Sequence, residues 1–162
     1  MVLANNDIEL MDAIGRDMKL VIDEVASKIL EMLIDSINQV VYDAGVPHLY
    51  RRLEMNGGLS GEWRKSNAEI IGNEIISTID SDPTTLVVDP ENFVHGSNHW
   101  EMDDISGLLN EIIIEGKSGP YFGEGFWREP RDFWSPIIAM LEDGTVDSMI
   151  AESMIKNGIN LV

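Results

Sequence analysis

The chain reads as an α+β protein: a long N-terminal helix, a small antiparallel sheet with a hairpin, and C-terminal helices. Three observations predict it. Between residues 7 and 43 there is no proline, and apolar residues return every three or four positions. Two isoleucine-rich runs flank Gly72-Asn73, a pair suited to a tight two-residue turn. Toward the C-terminus, Ser135-Pro136, Asp143-Gly144 and Asn157-Gly158 punctuate two amphipathic stretches.

The first helix opens at Asn6 or Asp7, with Glu9 three residues after Asn6 in capping-box spacing. Its stripe is Met11, Ile14, Met18, Val21, Val25, Ile29, Met32 and Ser36, and a second line through Ile22, Leu33, Ile37 and Val40 runs beside it. Gly45 stands where a C-terminal cap falls, just before Pro47. At 1.5 Å per residue a helix over 7–43 spans about 55 Å. A compact domain of this size is narrower, with a radius of gyration of about 15 Å. Two outcomes are open. Either residues 1–45 form an inter-subunit arm beside an α+β domain at 46–162, or the helix breaks and folds back, with Gly15 its weakest point.

Beyond the helix, Tyr50, Arg51 and Arg52 form a polar-aromatic cluster ahead of the Asn56-Gly57-Gly58 turn. Arg51, Arg52, Arg64 and Lys65 are four of the eleven basic residues, and on so acidic a chain they are expected to meet carboxylates. The hairpin is predicted over 68–79, with Thr84–Asp89 as a third strand after Asp82-Pro83. His95 and His99 with Asp103 or Asp104 have some metal-ligand character. The intervening Gly96-Ser97-Asn98 favours a solvated loop instead, and no metal is expected. Asp103 or Asp104 caps a helix through Ile105, Leu108, Leu109, Ile112 and Ile113 that ends at Gly116. The three isoleucines at 112–114 leave open a switch to strand near residue 111. Ser135 and Pro136 then occupy the first two positions of the next helix.

The stretch from Leu108 to Ile138 is the most unusual. Its glycines and prolines make a bendable loop, yet Tyr121, Phe122, Phe126, Trp127, Phe133 and Trp134 crowd into it. So much aromatic surface must lie against something, either the domain's own core or a neighbouring subunit. Trp127, Phe133 and Trp134 are the expected packing or interface anchors. Pro130 fixes the turn between them, and Arg131 joins Arg51 and Arg52 as a partner for carboxylates.

Composition narrows the function. Twenty-nine acidic against eleven basic residues leave a net charge of −18. Duplex DNA is held by cations that replace its counterions, so tight, direct DNA binding is disfavoured by sign, and so are anionic membranes. There is no cysteine, hence no disulfide framework, thiolate metal site or thiol nucleophile. The start, MVLANNDIEL, lacks a basic region followed by an apolar one, and no apolar run approaches a membrane span. No phosphate-binding loop, dinucleotide fingerprint, nucleophile elbow or zinc helix occurs. The acids include nothing that singles out a catalytic pair. No catalytic residue, cofactor or enzymatic activity is expected.

The order of segments resembles a known family. A long helix leads through Val41-Tyr42 to Tyr50-Arg51-Arg52 and Asn56-Gly57-Gly58-Leu59. A hairpin follows, then Leu109-Asn110-Glu111-Ile112-Ile113 running to Gly116, then Pro130-Arg131-Asp132-Phe133 before the last helices. This resembles the tail-completion or tail-component proteins of the head–tail neck of tailed bacteriophages, over roughly residues 40–140. Ile114-Glu115-Gly116 lacks the family's aromatic, and Asp132 stands where its second proline would be. The resemblance implies an α+β subunit without catalytic residues that assembles into a ring, six-fold or twelve-fold, and meets connector or portal-side proteins and the tail tube or terminator. DNA would pass through without being held. The expected location is the virion neck, and the host cytoplasm during assembly. Tyr50, Arg51, Arg52, Tyr121, Phe122, Trp127, Pro130, Arg131, Phe133 and Trp134 are then the expected interface residues. A tail terminator capping the tube is the nearest alternative. An acidic DNA mimic that inhibits a host DNA-binding protein is the alternative from another class.

Overall fold

The computed structural model of the protein describes residues 2–42, 58–82, 113–115 and 130–159. Helix α1 runs Val2–Ile37 and passes directly into a π-helical turn, Asn38–Tyr42. A single turn, α2 (Gly58–Gly61), precedes four short strands: β1 (Trp63–Lys65), β2 (Glu69–Ile71), β3 (Glu74–Ile76) and β4 (Ile79–Ser81). Helices α3 (Ser135–Glu142) and α4 (Thr145–Lys156) follow. The predicted α+β class is therefore the observed one. The predicted third strand at 84–89 lies outside the described residues. So does the helix expected from 103 to 116, except for 113–115, which are helical.

Contacts group the chain into two compact units. One comprises Met1–Glu31, Lys65–Asp80 and Ala139–Val162; the other comprises Met32–Arg64 and Ser81–Ile138. Helix α1 gives its residues up to Glu31 to one unit and Met32–Ile37 to the other. The segments of the first unit contain no aromatic residue, so it is packed with aliphatic side chains.

In the first unit the α1 stripe buries Val21, Val25 and Ala26, and Ala68 and Met140 are buried as well. The hairpin is the one predicted: β2 pairs antiparallel with β3, with Ile70 opposite Ile75. Gly72 has φ 64, and among the described residues no non-glycine residue has positive φ. A positive angle at the first central position alone is the pattern of a type II′ turn. A two-stranded hairpin is marginal in water by itself, and here its base is tied down. Ser66 N donates to Thr78 O at 2.8 Å and Thr78 N to Ser66 Oγ at 2.9 Å. Asp23 on α1 accepts from Ala68 N at 2.8 Å and from Lys65 Nζ at 3.1 Å. Those bonds, the backbone one foremost, hold the Asp23 carboxyl below its ordinary value against the opposing effect of desolvation.

Helix α4 is bound to α1 through Glu24, which accepts from Lys156 Nζ at 2.6 Å and Ser153 Oγ at 2.9 Å. The lysine bond, then the serine bond, lowers its pKa. Both predicted stops of the C-terminal helices are observed. Gly144 (φ 87) separates α3 from α4, with Thr145 N donating to Asp143 Oδ1 at 2.8 Å. Past Lys156, Gly158 (φ 78) donates to Ile155 O and Ile159 N to Met154 O, the paired bonds of a glycine-terminated helix end.

Gly15 does not break α1. A Cβ built there would lie 3.1 Å from Ile70 Cδ1, so the glycine marks where the hairpin crosses the helix. The helix runs through because a lone glycine costs only about 1 kcal/mol relative to alanine. Ile70 is half exposed, and its terminal methyl can swing aside. Gly15→Ala is therefore expected to raise stability by about 0.5–1 kcal/mol, whereas Gly15→Val, with two γ carbons at the crossing, is expected to lower it. Urea midpoints followed by far-UV circular dichroism check both signs.

Candidate functional site

The segment 130–134 organises the second unit. Arg131 N donates to Ile113 O at 2.9 Å, and its Nη1 donates to Val41 O, in the π-helical turn, at 3.0 Å. Tyr42, at the end of that turn, accepts Leu59 N at 2.8 Å. Ser36 Oγ donates to Phe133 O at 2.8 Å. Polar bonds thus tie segment 130–134 to α1, to the π-helical turn and to Ile113, next to an apolar core. That core contains Leu33, Ile37, Val41, Leu59, Ile113, Phe133 and Ile137, all nearly or fully buried.

Trp63 on β1 completes the aromatic group. It meets Phe133 edge-on, with ring centroids 6.5 Å apart at 73°, and stacks on Trp134 at 5.3 Å and 24°. Both are favoured geometries, since the ring quadrupoles disfavour face-on alignment. The Trp63 indole nitrogen is buried without an acceptor among the described residues. Glu62, its neighbour in sequence, is fully buried. Neither Glu62 nor Trp63 stands out in the sequence, because the pairing of β1 with β4 that positions them carries no local signal.

Asp132 starts α3. Its Oδ1 accepts Trp134 N at 3.0 Å and Ser135 N at 2.9 Å, and Ser135 Oγ donates to Oδ2. The serine hydroxyl bond, then the backbone bond, holds its carboxyl below the ordinary range. The cap expected of Ser135 is therefore supplied by Asp132 three residues earlier, whose carboxylate reaches two free backbone N–H groups where the hydroxyl reaches none.

Among the expected interface residues, Phe133 has no exposed surface and Trp134 is half-buried on Trp63. Both pack against residues of their own unit. Pro130 is exposed, and Arg131 is half-buried with its described guanidinium bond on a carbonyl. Tyr50, Arg51, Arg52, Tyr121, Phe122 and Trp127 lie outside the described residues, as do His95, His99, Asp103 and Asp104. Among the described residues no group of three or more histidine, aspartate or glutamate side chains is placed to hold a metal. No described helix is long and apolar enough to cross a membrane.

A second feature lies in the first unit, and sequence periodicity could have found it. The α1 stripe, buried at Val21 and Val25, is uncovered nearer its start. Leu10 is 58% exposed, Met11 70% and Ile14 49%. The hairpin that crosses at Gly15, one turn beyond Met11, exposes Ile71 to 57% and leaves Ile70 and Ile76 open as well. Large apolar side chains exposed in this number on one unit make its surface a candidate for interaction. Comparison with protein-family models, curated proteins and solved structures returns no match.

Two predictions follow from this geometry. Phe133→Ala removes a fully buried ring and is expected to cost about 3–5 kcal/mol; Trp134→Ala, which loses a half-exposed stack, is expected to cost clearly less. Denaturant midpoints of the two variants give the order. For pH, Asp23, Glu24, Asp132 and Asp143 all have lowered values in the folded chain. The unfolded chain therefore takes up protons first. Their contribution is complete above the ordinary carboxylate values of 4.5 for Glu and 3.8 for Asp, and is lost as pH falls through the lowered ones. Thermal midpoints are expected to fall steeply below about pH 4.5, and less steeply in Asp132→Asn, measured by calorimetry over pH 3–6.

Proposed function

We propose that this chain is a structural protein of the head–tail neck of a tailed bacteriophage, assembling as a ring that joins the finished tail to the connector and leaves a channel for DNA. The observation that carries the assembly part of this reading is the number of large apolar side chains exposed on the first unit, Leu10, Met11 and Ile14 on α1 and Ile70, Ile71 and Ile76 on the hairpin. On a chain with 29 acidic residues, apolar side chains left in water have a use when another protein surface covers them. The order of sequence segments from Val41 to Phe133 supports the narrower placement in the neck. The charge of −18 fits a lining past which DNA must move, since attraction to phosphates would act as friction. Rings are built from heterologous contacts that close by rotation, so two different faces of each copy are engaged.

Particles produced without the protein decide the matter by electron microscopy. Filled heads separate from tails of normal length are expected. Joined particles refute the reading, and tubes of uncontrolled length assign the protein to the tail terminator instead.

A further inference from the structure

The two strands of the hairpin carry the same triplet: β2 is Glu69-Ile70-Ile71 and β3 is Glu74-Ile75-Ile76. They pair with each glutamate opposite an isoleucine, Glu69 with Ile76 and Glu74 with Ile71, and with Ile70 opposite Ile75. Glu-Ile-Ile laid antiparallel on Glu-Ile-Ile is thus a fit the molecule already makes, without like charges directly opposite one another.

The same pairing leaves an edge on each strand. Ile71 and Glu74 flank the two-residue turn and form a hydrogen-bonded pair, and such pairs alternate along an antiparallel ladder. Ile70 and Ile75 are then the non-bonded pair, whose N–H and C=O groups point away from the hairpin along its two edges. Among the described residues no further strand pairs with β2 or β3, and neither Ile70 nor Ile75 has a bond outside the hairpin. On β2 the open stretch ends at Ala68, whose N–H is taken by Asp23. All three residues of β2 are exposed, and so are Glu74 and Ile76 of β3.

We infer that copies of this chain join edge to edge, β3 of one against β2 of the next, in the register the hairpin itself uses. Ile75 and the neighbour's Ile70 then exchange two backbone bonds, and Glu69 again meets an Ile76. Ile70, half exposed in the single chain, enters a row of isoleucines continued from copy to copy. A foreign strand would meet the same backbone groups, but the chain's own triplets are the ones shown to fit in charge and shape. Two like edges, β3 with β3, would use one edge of each copy and leave the other as a template for more pairing. Pairing β3 with β2 uses both, and its repetition closes as a ring. This deepens the assembly reading and rests on it, for it names the contact between neighbouring copies.

The chain has no cysteine, so introduced thiols report the contact alone. Full-length Glu69→Cys and full-length Ile76→Cys are purified separately, mixed and oxidised. In the inferred contact these positions form a non-hydrogen-bonded pair with Cα atoms about 4.5 Å apart, within the span of a disulfide. The mixture is expected to give about ten times the linked dimer that either variant gives alone, because only unlike edges bring the thiols into disulfide geometry. Adding Ile75→Pro to the Ile76→Cys copy removes the outward N–H and spares the ladder bonds of its own hairpin. The yield is then expected to fall to that of the single variants. Equal yields from the mixture and the single variants overturn the inference, including the case in which another segment of the same chain fills the edge. So does mixed product that survives Ile75→Pro with an unchanged circular dichroism spectrum. Ile75→Cys or Ile70→Cys linking to itself as well as the mixture does overturns it too, since like edges would then meet. If the proline variant does not fold, the cysteine variants decide by themselves. Absent cross-links leave the particle result untouched, and joined particles made without the protein leave the cross-links standing, so the two readings fail separately.

Discussion

The apolar stripe of α1 is the constraint from which the rest of the structure follows. One 36-residue helix supplies Val21, Val25 and Ala26 to one core and Leu33 and Ile37, continued by Val41 of the π-helical turn, to the other. The spacing from Leu33 to Ile37 to Val41 is four residues each time, more than the 3.6 of an α-helix. A wider π-helical turn over Asn38–Tyr42 accommodates the added residue. Helices of this length take most of their stability from the face they bury. Neither core is complete without its share of the stripe.

Acidic side chains do much of the fastening. Asp23 holds the base of the hairpin, Glu24 holds α4, Asp132 starts α3 and Asp143 bridges α3 to α4. Each carboxylate accepts from backbone N–H groups, hydroxyls or lysines, which favours its charged form. The composition that discourages nucleic acid binding is thus also structural.

Much of the fold is legible in the sequence, because its signals are local. The helix shows in its rhythm, the hairpin in Gly72-Asn73, and the ends of α3 and α4 in Asp143-Gly144 and Asn157-Gly158. What is not legible depends on residues distant in the chain. Gly15 looks like a weak point until Ile70 is seen crossing it. Ser135 looks like the cap until the longer reach of Asp132 is measured. The β1–β4 pair, and Trp63 with it, arises from short strands with no alternation long enough to notice. The α1 stripe itself is plain in the sequence, but which part of it lies open depends on segments distant in the chain. The aromatic loop admits two placements from sequence, and only Phe133 and Trp134 of that group are placed, both inward.

The segregation of aromatic residues has an optical consequence. Indole emission and near-ultraviolet circular dichroism arise only from the unit that holds Trp63, Phe133 and Trp134. The tryptophan pair at 5.3 Å is close enough for its transitions to couple. The aliphatic unit is silent at those wavelengths and reports through its backbone alone. Two ordinary spectrometers, run side by side on one unlabelled sample, therefore distinguish a molecule that melts as a whole from one that comes apart in stages.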